Sequence, residues 1–206
     1  MKNYIALCGI TLAALVLAPA MQAAAIVEAT NNNNCIVVAN ADCEGVAFDF
    51  NSLGNPLLGN TAHAQVAFAS TDVTLTGEPG GTISAVSGGF KNLTISVPGF
   101  YFAELLFRIT PAVATSVTIT AYDAVGVPAT ETFDLAVTGV ERFRVMATGN
   151  ELIRSVTLDS IDPMTDVRQV KIGGFESAAV PEPATVLILG SGLVALGFVR
   201  RHKRVK

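Results

Sequence analysis

The sequence predicts an all-β fold: an antiparallel β-sandwich, with a jelly roll as one form of it, set between an N-terminal signal peptide and a C-terminal transmembrane helix. Three observations predict the sandwich. Short runs rich in Val, Ile, Thr and Phe, about a dozen of them, fill residues 35–177. Several alternate with the period of two that a half-buried strand requires: in SVTITAY, Val117 and Ile119 fall on one face and Thr118 and Thr120 on the other. Turn residues punctuate the gaps, as in GNP at 54–56, GEPGG at 77–81 and VGVP at 125–128, and no stretch carries a helical stripe. A closed barrel ranks second.

Residues 1–25 open with Lys2, continue through an apolar run from Ile5 to Leu17, and end in Pro19 and a group of alanines. This is the layout of a secretory signal peptide, taken by the Sec translocon and cut by signal peptidase between Ala20 and Ala25. The run is shorter than the ~20 residues a membrane-spanning helix needs, and Cys8 lies too early in it to be a lipidation site. Residues 26–34 end in the asparagine run Asn31 to Asn34, which has nothing to bury, so they are expected to form a disordered lead-in. The sandwich itself is expected over 35–177. Its strands are predicted at 36–39, 46–50, 63–70, 72–76, 82–87, 92–97, 104–110, 116–122, 131–137, 142–148, 152–160 and 167–173.

Charge narrows the functional classes. Only Glu182 of the seventeen acids lies outside residues 26–180, whereas six of the thirteen bases do, which leaves this part at −9 with neutral His. Such a domain repels nucleic acid, so no nucleic-acid partner is expected. Beyond the signal peptide the cysteines are Cys35 and Cys43, and a pair in an exported chain points to a disulfide worth about 2–3 kcal/mol by loop entropy. His63 is the one imidazole before the C-terminal segment. With no GxSxG and no second His, neither a zinc site nor a serine or cysteine hydrolase is expected, and the protein is not expected to be an enzyme. No cofactor is expected; Asp159, Asp162 and Asp166, in DSIDPMTD, are the sharpest local acidic cluster and the candidate ligands for calcium, though the spacing matches no EF-hand loop. The cluster Phe100, Tyr101 and Phe102 after Pro98-Gly99 is the candidate sugar platform; alternation along a strand buries at least one of the three.

The chain ends in VPEPATVLILGSGLVALGFVRRHKR. Residues 184–199 carry no charge and as a helix would run about 24 Å, short of the hydrocarbon core by an amount that snorkelling Arg200, Arg201, Lys203 and Arg204 can make up. Those basic residues set the topology, holding the end in the cytoplasm and the domain on the far side of the membrane. Val180, Pro181, Glu182 and Pro183 form a segment that proline keeps extended and accessible just outside the bilayer.

In this order the three parts resemble the PEP-CTERM sorting signal of Gram-negative, exopolysaccharide-making bacteria, over residues 178–206. The resemblance implies an exosortase as partner, a transient stay in the inner membrane, and a final home on the cell surface or in the extracellular matrix. It further implies a structural or adhesive role linked to extracellular polysaccharide, with a carbohydrate-binding module as the alternative. Residues 152–174 also resemble the last strands of many proteins that bear this signal.

Overall fold

The structure, a computed structural model, describes residues 25–38, 42–137, 141–149 and 151–178. The sorting residues Val180 to Pro183, the helix at 184–199, the basic residues after it, and all of the signal peptide except Ala25 lie outside the described residues.

Among the described residues the chain forms strands and no α-helix. In order they are β1 (Ala25–Ala29), β2 (Cys43–Gly45), β3 (Ser52–Gly54), β4 (Leu57–Asn60), β5 (Gln65–Ala69), β6 (Leu75–Glu78), β7 (Thr82–Ala85) and β8 (Phe90–Ser96). There follow β9 (Phe100–Tyr101), β10 (Glu104–Pro111), β11 (Thr115–Asp123), β12 (Pro128–Leu135), β13 (Glu141–Ala147), β14 (Ile153–Gly173) and β15 (Glu176–Ser177). Every pairing is antiparallel. One sheet runs β12-β11-β14-β8-β5-β4. The other runs β1-β13-β10-β14-β7-β6-β3, with β2 beside the last residues of β14.

β14 belongs to both sheets. Its residues 153–160 lie between β11 and β8, while residues 164–173 pair with β10 on one side and with β7 and β2 on the other. The change of partners falls where the register with β8 slips between Asp159 and Met164, and Pro163, which has no N–H to give a ladder, sits in that slip. The sequence predicts two strands here with a turn between them; the chain instead stays extended and crosses from sheet to sheet.

The alternation read from the sequence produces the core. Leu105, Phe107 and Ile109 of β10, Phe143 and Val145 of β13, Val117 and Ile119 of β11, and Val156 and Leu158 of β14 are fully buried in one cluster. The layers meet ring to ring, Phe133 of β12 lying 5.0 Å from Phe143 of β13 between centroids. On the outer side of β11 the threonines pair directly across to β12, Thr118 with Thr132 at 3.0 Å and Thr120 with Thr130 at 3.2 Å.

Two further expected strands take other forms. Residues 46–50 form no strand: Ala47 makes an isolated bridge to Asn60, Val46 N donates to Val170 O at 2.9 Å, and Phe48 packs on the bare backbone of Gly77. A Cβ at Gly77 would stand 2.6 Å from the Phe48 ring, so this position admits glycine alone without a shift of the ring. Residues 36–38 are bent rather than paired, because their N–H groups are taken by a side chain described below.

The expected lead-in is corrected as well. Residues 25–29 are β1, paired in full register with β13 from Ala25 opposite Ala147 to Ala29 opposite Phe143, with Ala25 and Val27 buried. The alternation in AIVEA is sufficient for an edge strand once β13 offers a free side. The asparagines after it are held through their backbone carbonyls, Asn31 by Arg142 at 2.9 Å, Asn33 by Lys171 at 2.9 Å and Asn34 by Arg144 at 3.0 Å.

Candidate functional site

The most elaborately built polar region lies on the outer face of the second sheet. Because β10 alternates, Glu104, Leu106, Arg108 and Thr110 point away from the core, and the register of β13 sets Arg142, Arg144 and Met146 beside them. Residues 30–38 cross this face as a strap, tied back by the Cys35–Cys43 disulfide, whose Cα atoms are 6.0 Å apart.

Under the strap Glu104 has no exposure and Arg144 only 3%. The Glu104 carboxylate accepts from Ile36 N at 3.0 and 2.9 Å and from Val37 N at 2.9 Å. Arg144 Nε lies 3.1 Å from Glu104 Oε1 without hydrogen-bond alignment, and Arg144 Nη1 donates to Glu28 of β1 at 2.7 Å. The pair is therefore compensated by backbone donors on one side and a second carboxylate on the other. Its chemistry is that of a clasp.

His63 forms a second polar contact. Its Nδ1 meets Glu44, its ring sits 6.3 Å from that of Phe175, and its side chain is 67% exposed. Burial pushes the Glu44 carboxyl up, but hydrogen bonds from Thr61 and His63 outweigh this and hold it below the usual carboxylate range. The adjoining cleft is lined by Val38, Asp42, His63, Gly174 and Phe175.

The sequence-predicted positions fare differently from one another. Cys35 and Cys43 are joined. Phe102 is wholly buried, as alternation requires of one member of its cluster, while Phe100 and Tyr101 are half-buried and paired with β15 through Ser177 and Glu176. The three aspartates do not form a turn. Asp159 is exposed on the part of β14 that pairs with β8, whereas Asp166 is buried on the part that pairs with β10 and β7. Arg168 occupies Asp166, with Nε 2.7 Å from Oδ1. Among the described residues no group of three or more His, Cys, Asp or Glu is placed to hold a metal ion. Extended backbone sets Asp159 and Asp166 in different sheets.

Sequence reasoning missed Glu104 and Arg144. The only local signal was an acid opening a strong strand at 104 and two arginines alternating with Phe143. Their partners are each other, the Glu28 carboxylate and backbone groups of residues 34–37, all far away in the chain.

Residues 179–204 match the family model of the PEP-CTERM protein-sorting motif. No curated protein and no solved structure matches the chain.

Proposed function

From a chain that carries a PEP-CTERM protein-sorting motif, and is thereby exported and sorted by an exosortase, we infer a non-catalytic surface or matrix protein whose sandwich has a structural or adhesive role linked to extracellular polysaccharide. The observation that carries this is the motif itself, placed after a sandwich whose aromatic side chains are chiefly spent on packing. The inner membrane holds the chain transiently, and the mature protein resides on the surface or in the matrix of a Gram-negative cell. This role needs no cofactor. His63, held by Glu44 and open to solvent, is given no catalytic part. The competing glycan-binding module would rest on Phe100 and Tyr101, since Phe102 is withdrawn into the core.

Intact mass spectrometry of surface and matrix fractions, with and without the host's exosortase, tests the reading. A mature chain ending near Val180 to Pro183, found in the matrix only when the exosortase is present, is the expected result. A chain intact through Lys206 and confined to the inner membrane would overturn it.

A further inference from the structure

The described part of the chain is acidic, yet five of its seven basic residues (Arg108, Arg142, Arg144, Arg168 and Lys171) sit on one face, the outer side of β10, β13 and the second part of β14. Three of them stand in a row. Arg108 is directly opposite Arg142 on β13 and directly opposite Arg168 on β14. Like charges facing one another across strands are unfavourable, so each needs compensation.

Arg168 has it from Asp166, whose hydrogen bond, against the effect of burial, raises the guanidinium above its ordinary value. Outside the row, Arg144 has it from Glu104 and Glu28, while Lys171 is held by the neutral carbonyl of Asn33. Arg108 and Arg142 have none. Among the described residues Arg108 makes no ion pair, and Arg142 has only the neutral carbonyl of Asn31. The Nε atoms of both are buried without a hydrogen-bond partner, and so is Thr110 Oγ1 two residues along the same face of β10. Burial, and then the charge of Arg108, push Arg142 below its ordinary value, the direction expected of two partly dehydrated cations side by side.

Beside them lies an open cleft of about 400 Å³, lined by Ala29, Thr30, Asn31, Arg108, Glu141 and Arg142. Glu141 is its one acid, and one of that carboxylate's oxygens is taken by Ala136 N at 3.2 Å. Two cations against one anion leave the lining a single positive charge in excess.

We propose that this cleft is an oxyanion site that takes one carboxylate group of a ligand between Arg108 and Arg142. A planar guanidinium matches a carboxylate with paired hydrogen bonds, and one negative charge both neutralises the excess and relieves the repulsion across β10 and β13. Two sources share this chemistry: a free organic acid and an acidic sugar residue. The site stands on geometry alone and does not depend on the matrix role.

Isothermal titration of the full chain in non-ionic detergent, at low ionic strength, tests it with acetate, glucuronate, an oligoglucuronate and sulfate as probes. Saturable binding of a carboxylate is expected, weakened about tenfold or more in Arg108→Gln and unchanged in Lys91→Gln, a cation on another part of the surface. Among the described residues Arg108 has no hydrogen-bond or ion-pair partner, so Arg108→Gln should keep the wild-type near-ultraviolet circular dichroism; Arg142→Gln, which also releases Asn31, serves as the second variant. Equal binding of acetate and glucuronate assigns the site to free acids, and tighter binding of the oligomer assigns it to acidic sugar. Binding that is absent, equally strong in Arg108→Gln, or stronger for sulfate than for every carboxylate would overturn the proposal.

Discussion

A carboxylate with no access to water has to be compensated from every side, and Glu104 is compensated by two backbone N–H groups and a guanidinium. Removing its charge would leave Arg144, itself 3% exposed and with an Nε that has no hydrogen bond, to the half-exposed Glu28 carboxylate alone among the described residues. Breaking a buried pair from one side costs about 3–5 kcal/mol, far more than the pair contributes relative to apolar residues of the same volume. Glu104→Gln is therefore expected to lower stability to urea by that amount. A loss below about 1 kcal/mol, within the range of an exposed pair, would mean that the strap does not exclude water. At this scale the sequence was a poor guide. It shows an acid before Leu105 and arginines on either side of Phe143, but the Ile36 and Val37 N–H groups that complete the clasp are backbone groups with no residue signature.

Among elements, the strap at residues 30–38 and the strand β14 departed furthest from expectation. Low-complexity asparagine tracts usually have nothing to bury. Here the tract is held mainly by its backbone: Arg142, Arg144 and Lys171 take three of its carbonyls, and Asn32 Oδ1 accepts from Asn34 N at 3.0 Å. The disulfide fixes the far end of the strap. Replacing both cysteines, Cys35→Ser with Cys43→Ser, is expected to cost about 2–3 kcal/mol, and the unaltered protein should show the same loss under reductant. Thermal melts of the two proteins, with and without reductant, check this; a reductant effect on the double variant would place the cause elsewhere. The β14 segment misled because Asp and Pro at 159–166 are ordinary turn residues, and an antiparallel strand that changes sheets through a register slip uses the same ones.

For the whole molecule, β14 means that neither sheet is complete without the other. A strand shared by both layers, with one apolar cluster between them, should make the sandwich unfold as one unit. Tyr122 of β11 reports on the first sheet, and far-ultraviolet circular dichroism reports on all strands. Their urea transitions are expected to coincide. Two separated transitions would show that the sheets are independent and that β14 is a linker.

The sequence by itself determined the fold class, the strand positions with strong alternation such as β8, β10, β11 and β13, the cysteine pair and the sorting motif. Each of these is written in local order: period-two burial, a pair of thiols, or a contiguous stretch of residues. The tertiary structure alone decided the strand order, the crossing of β14, the capture of the strap and the arginine row. Those depend on register, which sets side by side residues that are far apart in the chain and leaves no mark at either position.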